Sequence, residues 1–137
     1  MQKLVIDTNV LVSALIRESY PHRIVFDIFP DKNIIWCISD EVFGEYDSVL
    51  NRTKFSKYSG FTIKAERLLA FVEAIAAKFT PQITLKVIKD LSDNKFLELA
   101  STCEADFLIT GNTLDFTMST YGQTKIVTPK EYWEKYR

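Results

Sequence analysis

The residues of this sequence best suited to chemistry are carboxylates. Asp7 closes a short apolar run, Lys3-Leu4-Val5-Ile6, and Glu45 lies one helical turn inside the segment that follows a second such run. Asp90 and Asp93 stand just ahead of a later helical stretch, and Gly111-Asn112-Thr113-Leu114-Asp115 follows a third apolar run. If the apolar runs are strands of one sheet, these positions meet at a single edge, where unpaired carboxylates repel one another and their pKa values rise. A cation relieves that repulsion. Oxygen donors without a histidine or thiolate cluster suit a hard divalent ion, Mg2+ or Mn2+, which keeps waters for a phosphate to displace. Each acid also has a plainer role open to it: Asp7 and Asp93 as helix caps, Glu45 with Glu41 as solvated helix charges, Asp115 as a turn cap.

Other chemistries lack their residues. His22 is the only histidine, and Cys37 and Cys103 have no metal-ligand spacing, so zinc fits badly. A lone histidine leaves no Ser/His/Asp or Cys/His system, and the glycine patterns of phosphate-binding loops are absent. Both cysteines sit in apolar runs and read as buried thiols of a reducing cytoplasm, with no secretory leader at the N-terminus. Seventeen basic against eighteen acidic residues give a net charge of −1, so no global positive field attracts nucleic acid or an anionic membrane. Any nucleic-acid contact then uses a local patch or a bound cation. With 137 residues and 47% hydrophobic content, the chain reads as one domain over residues 1–137 with a packed core. No window approaches the roughly 18 apolar residues of a membrane-spanning helix.

The elements that must position the acids follow from hydrophobic spacing. Residues 3–7 read as a strand buried on both faces, and the apolar residues between Asn9 and Arg17 recur at helical spacing over it. A second helix begins at Pro21 and closes at Pro30, and a strand occupies 34–38. Ser39 caps a helix with Asp40 and Glu41 in its first turn, running to about Arg52. A polar, basic loop follows, with Arg52, Lys54 and Lys57 among Phe55, Tyr58 and Phe61. The spacing predicts a helix over 62–79, a short strand over 84–88, and a helix capped by Ser92 or Asp93 that buries Phe96, Leu97, Ala100 and Cys103. Strands follow at 107–110 and 125–127, and Thr128-Pro129-Lys130-Glu131 is a capping box opening a short helix with Tyr132, Trp133 and Tyr136. Strands alternating with helices, without a hairpin signal, indicate an α/β fold: a three-layer α/β/α sandwich with a largely parallel central sheet. Ligands of such sheets bind outside the carboxyl ends of the strands.

Four strings carry a resemblance: residues 4–15 (LVIDTNVLVSAL), 39–46 (SDEVFGEY), 90–100 (DLSDNKFLELA) and 105–112 (ADFLITGN), with the tail Ile126-Val127-Thr128-Pro129. In this order and at these intervals they resemble PIN-domain ribonucleases, in the branch of VapC-like toxin components of type II toxin–antitoxin systems. The resemblance covers nearly the whole chain. It implies a Rossmann-like sandwich and a Mg2+- or Mn2+-dependent endoribonuclease that hydrolyses single-stranded RNA to leave 5′-phosphate and 3′-hydroxyl ends. Asp7, Glu45 and Asp93 match the three principal acidic metal-site residues, and Thr8 and Asn9 the supporting polar pair. Where the family usually carries a fourth acid this chain has Asn112, and Asp115 just beyond is expected to supply the missing carboxylate.

The resemblance further implies a small antitoxin that occludes the acidic site, a homodimer, and a cytoplasmic protein. Lys95, two residues from Asp93, is placed as a phosphate contact or charge partner. Arg52, Lys54 and Lys57 could grip RNA phosphates while Phe55 and Tyr58 stack bases, or form a solvated loop. Two rivals stay open. A PIN domain weakened at Asn112 would bind RNA or a partner without cutting, and a phosphoacceptor receiver domain would want a second acid where Thr8 and Asn9 follow Asp7.

Overall fold

A computed structural model describes residues 1–28, 30–112 and 116–137. At its centre lies β1 (Gln2–Ile6), whose last three residues, Leu4, Val5 and Ile6, are wholly buried. A strand covered on both faces needs parallel neighbours and crossover helices, and this one has them. β2 (Ile34–Ile38) pairs with one edge of β1 and β4 (Phe107–Ile109) with the other, both parallel. Outside them lie β3 (Ala77–Lys78), parallel to β2, and β6 (Thr124–Val127), parallel to β4. β5 (Thr120–Tyr121) closes the far edge antiparallel to β6. The order is β3-β2-β1-β4-β6-β5, so the chain changes direction across the sheet between β1 and β4.

The helices are α1 (Thr8–Ile16), α2 (Tyr20–Arg23) continued by a π-helical turn Ile24–Ile28, α3 (Asp40–Leu50), α4 (Phe61–Ile75), α5 (Asn94–Cys103) and α6 (Pro129–Glu131), continued by a π-helical turn Tyr132–Tyr136. They flank the sheet, giving the expected three-layer α/β sandwich. α5 packs against β1, β2 and β4, burying Phe96, Leu97, Ala100 and Cys103 as its spacing requires. Cys37 and Cys103 are both free and buried. Among the described residues no helix is long and apolar enough to cross a membrane.

Two local expectations are corrected. The helix expected over 62–79 stops at Ile75, because Ala76 turns extended and Ala77–Lys78 join the open edge of β2, where the Phe79 N–H donates to the Ile38 carbonyl at 2.8 Å. Residues 84–88 form no strand. Their amides are taken by α5 side chains instead: Leu85 N–H donates to Glu98 Oε2 at 2.8 Å, and the Val87 and Ile88 N–H groups to Asn94 Oδ1 at 2.9 Å each. Of the two residues expected to cap α5, Asp93 and not Ser92 occupies the N-cap position. Asp90 caps a 3-10 turn, Leu91–Asp93, that leads into it, and Asp93 makes no capping bond. The β5–β6 hairpin was not expected, since its turn signal is a single glycine, Gly122, at φ +57°. The C-terminal capping box forms as read, with both reciprocal bonds between Thr128 and Glu131.

Candidate functional site

Register places the site. Ile6 pairs with Ile109, and Ile109 with Val127, while Leu4 lies opposite Trp36. The first residues beyond four adjacent strands therefore form one row: Ser39, Asp7, Thr110 and Thr128. All are polar, and three of them, Asp7, Ser39 and Thr128, stand directly before helix N-termini. Two of them do conventional work, Ser39 accepting from Val42 N–H at 3.1 Å and Thr128 from Glu131 N–H at 3.1 Å. Asp7 does not. It stands before α1 and its side chain makes no capping hydrogen bond.

Asp7 is only 3% exposed, an unusual place for a carboxylate. Burial pushes its pKa above the ordinary 3.8. Thr110 opposes that shift by donating its hydroxyl to Asp7 Oδ2 at 2.7 Å, the nearby Glu45 charge adds to it, and the Asn9 and Thr8 backbone N–H groups favour the ionised form. Thr110 is itself held, accepting from Asn112 N–H at 3.0 Å. The β4 strand ends at Ile109, one residue before Thr110, which leaves that hydroxyl to serve its neighbour across the sheet.

Glu45 comes from α3. Its Oε2 accepts the Thr8 hydroxyl, and its Oε1 is ion-paired with Lys95 Nζ at 2.7 Å. The next residue, Tyr46, is fully buried; its hydroxyl donates to the Ile6 carbonyl at 2.5 Å, fastening α3 to the end of the central strand. Asp7, Thr8, Glu45 and Lys95 thus come together from β1, α1, α3 and α5.

Other expected residues are placed around or away from this group. Asp93 is half-buried at the start of α5. Exposed Asn9 and half-buried Asn112 face a cleft of about 400 Å³ lined also by Val10, Ser13, Pro21, Gly111 and Pro129. Asp115 lies outside the described residues. Arg52, Lys54 and Lys57 are exposed beyond α3, Lys54 over the Phe55 ring and Lys57 over Tyr58, and none of them lines the cleft. Sequence reading missed Thr110 and Tyr46 as site residues. The position of Thr110 directly after a strand, as Asp7 is, was the available signal; Tyr46 had none.

Among the described residues no three acidic, histidine or cysteine side chains form a group that could hold a metal. The two carboxylates that do approach, Asp7 and Glu45, are hard oxygen donors, one of them buried and destabilised by the other's charge. That donor set fits Mg2+, which is commonly held by one or two carboxylates while waters and substrate phosphates complete its shell.

Fold and site together define a parallel α/β protein with buried strand-end acid at the point where the strand order reverses, the usual ligand position of such sheets. The PIN-domain family model matches residues 3–114, and the chain belongs to the PIN-domain family, whose members are often nucleases. It is also similar to the uncharacterized protein MJ1680 of Methanocaldococcus jannaschii. The two are 27% identical over 142 residues, covering 98% of this chain and 91% of that protein.

Proposed function

We propose that the chain is a Mg2+- or Mn2+-dependent endoribonuclease that hydrolyses single-stranded RNA, and that it is the toxin of a toxin–antitoxin pair. The observation that carries the reading is Asp7, a carboxylate kept buried beside Glu45 in a PIN-domain chain while its strand-end neighbours Ser39 and Thr128 merely cap helices. Asp7 and Glu45 would hold the ion, with Asp93 reaching in from the start of α5 and Asp115 as a further carboxylate. When bound, a divalent ion supplies an acidified water and neutralises charge on the phosphate and the leaving oxygen.

The chain's own groups do the rest. The Thr110 hydroxyl fixes Asp7 and favours its ionised form, and the Thr8 hydroxyl orients Glu45. Asn9 and Asn112 offer side-chain amides along the cleft, where they can hold phosphate oxygens or ribose hydroxyls without adding charge. No side chain is asked to form a covalent bond to substrate, and the expected products are 5′-phosphate and 3′-hydroxyl ends. Arg52, Lys54 and Lys57, which do not line the cleft, would meet RNA outside it. The antitoxin and a homodimer rest on the resemblance of the sequence.

The test is cleavage of a labelled, unstructured RNA by the wild-type chain and by Asp7→Asn, with Mg2+ or Mn2+ and with chelator. Metal-dependent cutting that disappears in Asp7→Asn is the expected result. RNA binding without cutting under every condition would replace the reading with a PIN domain that serves as a binding module.

A further inference from the structure

Lys95 is placed against the interest of its own helix. It is the second residue of α5, in the turn where the helix dipole favours anions and disfavours an ammonium. What holds it there is Glu45, across the gap between α5 and α3. The two side chains are only 18% and 20% exposed, so their 2.7 Å contact is a shielded, charge-assisted hydrogen bond rather than a solvated surface pair. With the Thr8 hydroxyl on Oε2, both Glu45 oxygens are engaged by the protein itself. A divalent ion bound at Oε1 would stand beside the Lys95 ammonium, and like charges in so shielded a place repel strongly.

We infer that Lys95 is the resident cation of this site, its ammonium occupying Glu45 Oε1 so that a divalent ion reaches Glu45 only by displacing it. The inference rests on the metal-dependent reading above and adds a regulator to that site. Metal occupancy becomes an exchange of one cation for another, and the affinity for the ion is set as much by the ion pair that must break as by the bonds that form. The unbranched stem of Lys95 allows the ammonium to swing out without moving α5, and an outward-swung amine is open to solvent.

The experiment uses the full chain stripped of metal. Mn2+ is titrated into wild type, Lys95→Met, Lys95→Arg and Asp7→Asn, with free Mn2+ read by electron paramagnetic resonance. In parallel, wild type and Asp7→Asn are treated with trace acetylating reagent, with and without Mg2+, and acetylation of Lys95 is read by peptide mass spectrometry. Lys95→Met should bind Mn2+ roughly tenfold more tightly, the scale of one hydrogen bond to a charged group, while Lys95→Arg keeps the wild-type affinity or weakens it. Mg2+ should raise Lys95 acetylation several-fold in wild type and leave it unchanged in Asp7→Asn. The acetylation readout needs no change at Lys95, so it decides even where Lys95→Met does not fold. Equal Mn2+ affinity in wild type and Lys95→Met, with acetylation indifferent to Mg2+, overturns the inference and leaves the metal site standing. Absence of Mn2+ binding in all four proteins overturns both.

Discussion

Replacing Tyr46 by Phe removes one oxygen from the middle of the molecule and nothing else. The ring is fully buried and meets Trp36 edge-on at 6.2 Å, contacts that Phe preserves. Burial holds the phenol pKa far above its usual value, so the hydroxyl is a protonated donor throughout the working pH range. It donates to the Ile6 carbonyl at 2.5 Å and accepts from Trp36 Nε1 at 3.4 Å. The second contact is long, so the first carries the energy. Losing a buried hydrogen bond costs about 1 kcal/mol net, rising to about 3 kcal/mol where the remaining group finds no replacement. For a chain of this length each kcal/mol shifts Tm by roughly 4 °C, so Tyr46→Phe should melt about 4–12 °C below wild type. The second effect is local. Tyr46 follows Glu45 and its acceptor precedes Asp7, so the lost bond loosens the distance between the two carboxylates, and Mn2+ affinity should fall with stability. Thermal unfolding by circular dichroism, with a urea series to check that the m value is unchanged, reads the first effect. A Tm within about 1 °C of wild type would refute the claim that this hydroxyl fastens α3 to β1, since the minimum expected cost of about 1 kcal/mol is several times that shift.

Asp7→Asn tests the electrostatics of the site apart from catalysis. Because burial and the Glu45 charge raise the folded pKa above 3.8, the stability Asp7 contributes is fully present below that pH and is lost as pH rises through the folded value. At neutral pH the carboxylate is therefore a net burden, although Thr110 lessens it and Lys95 offsets part of the Glu45 charge. Asp7→Asn should raise Tm at pH 7, with the gain vanishing below pH 3.8; a gain independent of pH, or a loss at pH 7, contradicts the argument. Asn94→Ala tests the segment ahead of α5. It deletes two bonds from the Val87 and Ile88 N–H groups and two donated to the Ile88 and Leu91 carbonyls. Global stability should fall by about 2–3 kcal/mol, and hydrogen exchange at Val87 and Ile88 should accelerate well before that of the β1 amides. Unchanged exchange at those two amides would mean Asn94 does not hold the segment.

Periodicity was enough to locate β1, β2, β4 and β6, because each carries an uninterrupted apolar run into the core: Leu4–Ile6, Ile34–Ile38, Phe107–Ile109 and Ile126–Val127. It failed where a backbone partner outweighed side-chain spacing. Ala76 and Phe79 continue the helical pattern of α4, yet Ala76 turns extended and the open edge of β2 claims the backbone from Ala77 to Phe79. Thr84 to Ile88 look like a strand, but Asn94 and Glu98 supply acceptors that no local pattern reveals. In the site, strand-end position drew attention to Asp7 and helix phase to Glu45. The Thr110 bond to Asp7 and the Lys95 bond to Glu45 join residues 103 and 50 positions apart, and depend on register and helix crossing that become visible only in the fold.

The charge balance of the site bears on the order of events in the proposed reaction. The chain as a whole carries −1, so no global field draws in a polyanion. Within it, Lys95 balances Glu45, and Asp7 is left with hydroxyl and amide dipoles that hold a carboxylate without reversing its sign. An RNA phosphate approaching this arrangement meets at best a neutral surface beside a buried negative charge. Exchange of the Lys95 ammonium for a divalent ion changes that sign: the ion brings two positive charges to the carboxylates and the displaced ammonium remains within a side chain's length. In the proposed reaction, productive RNA binding at the acids is then expected to follow cation binding. Under the proposal, Asp7, whose burial beside Glu45 costs stability, would hold the cation that meets the substrate, whereas Ser39 and Thr128 at the neighbouring strand ends cap helices.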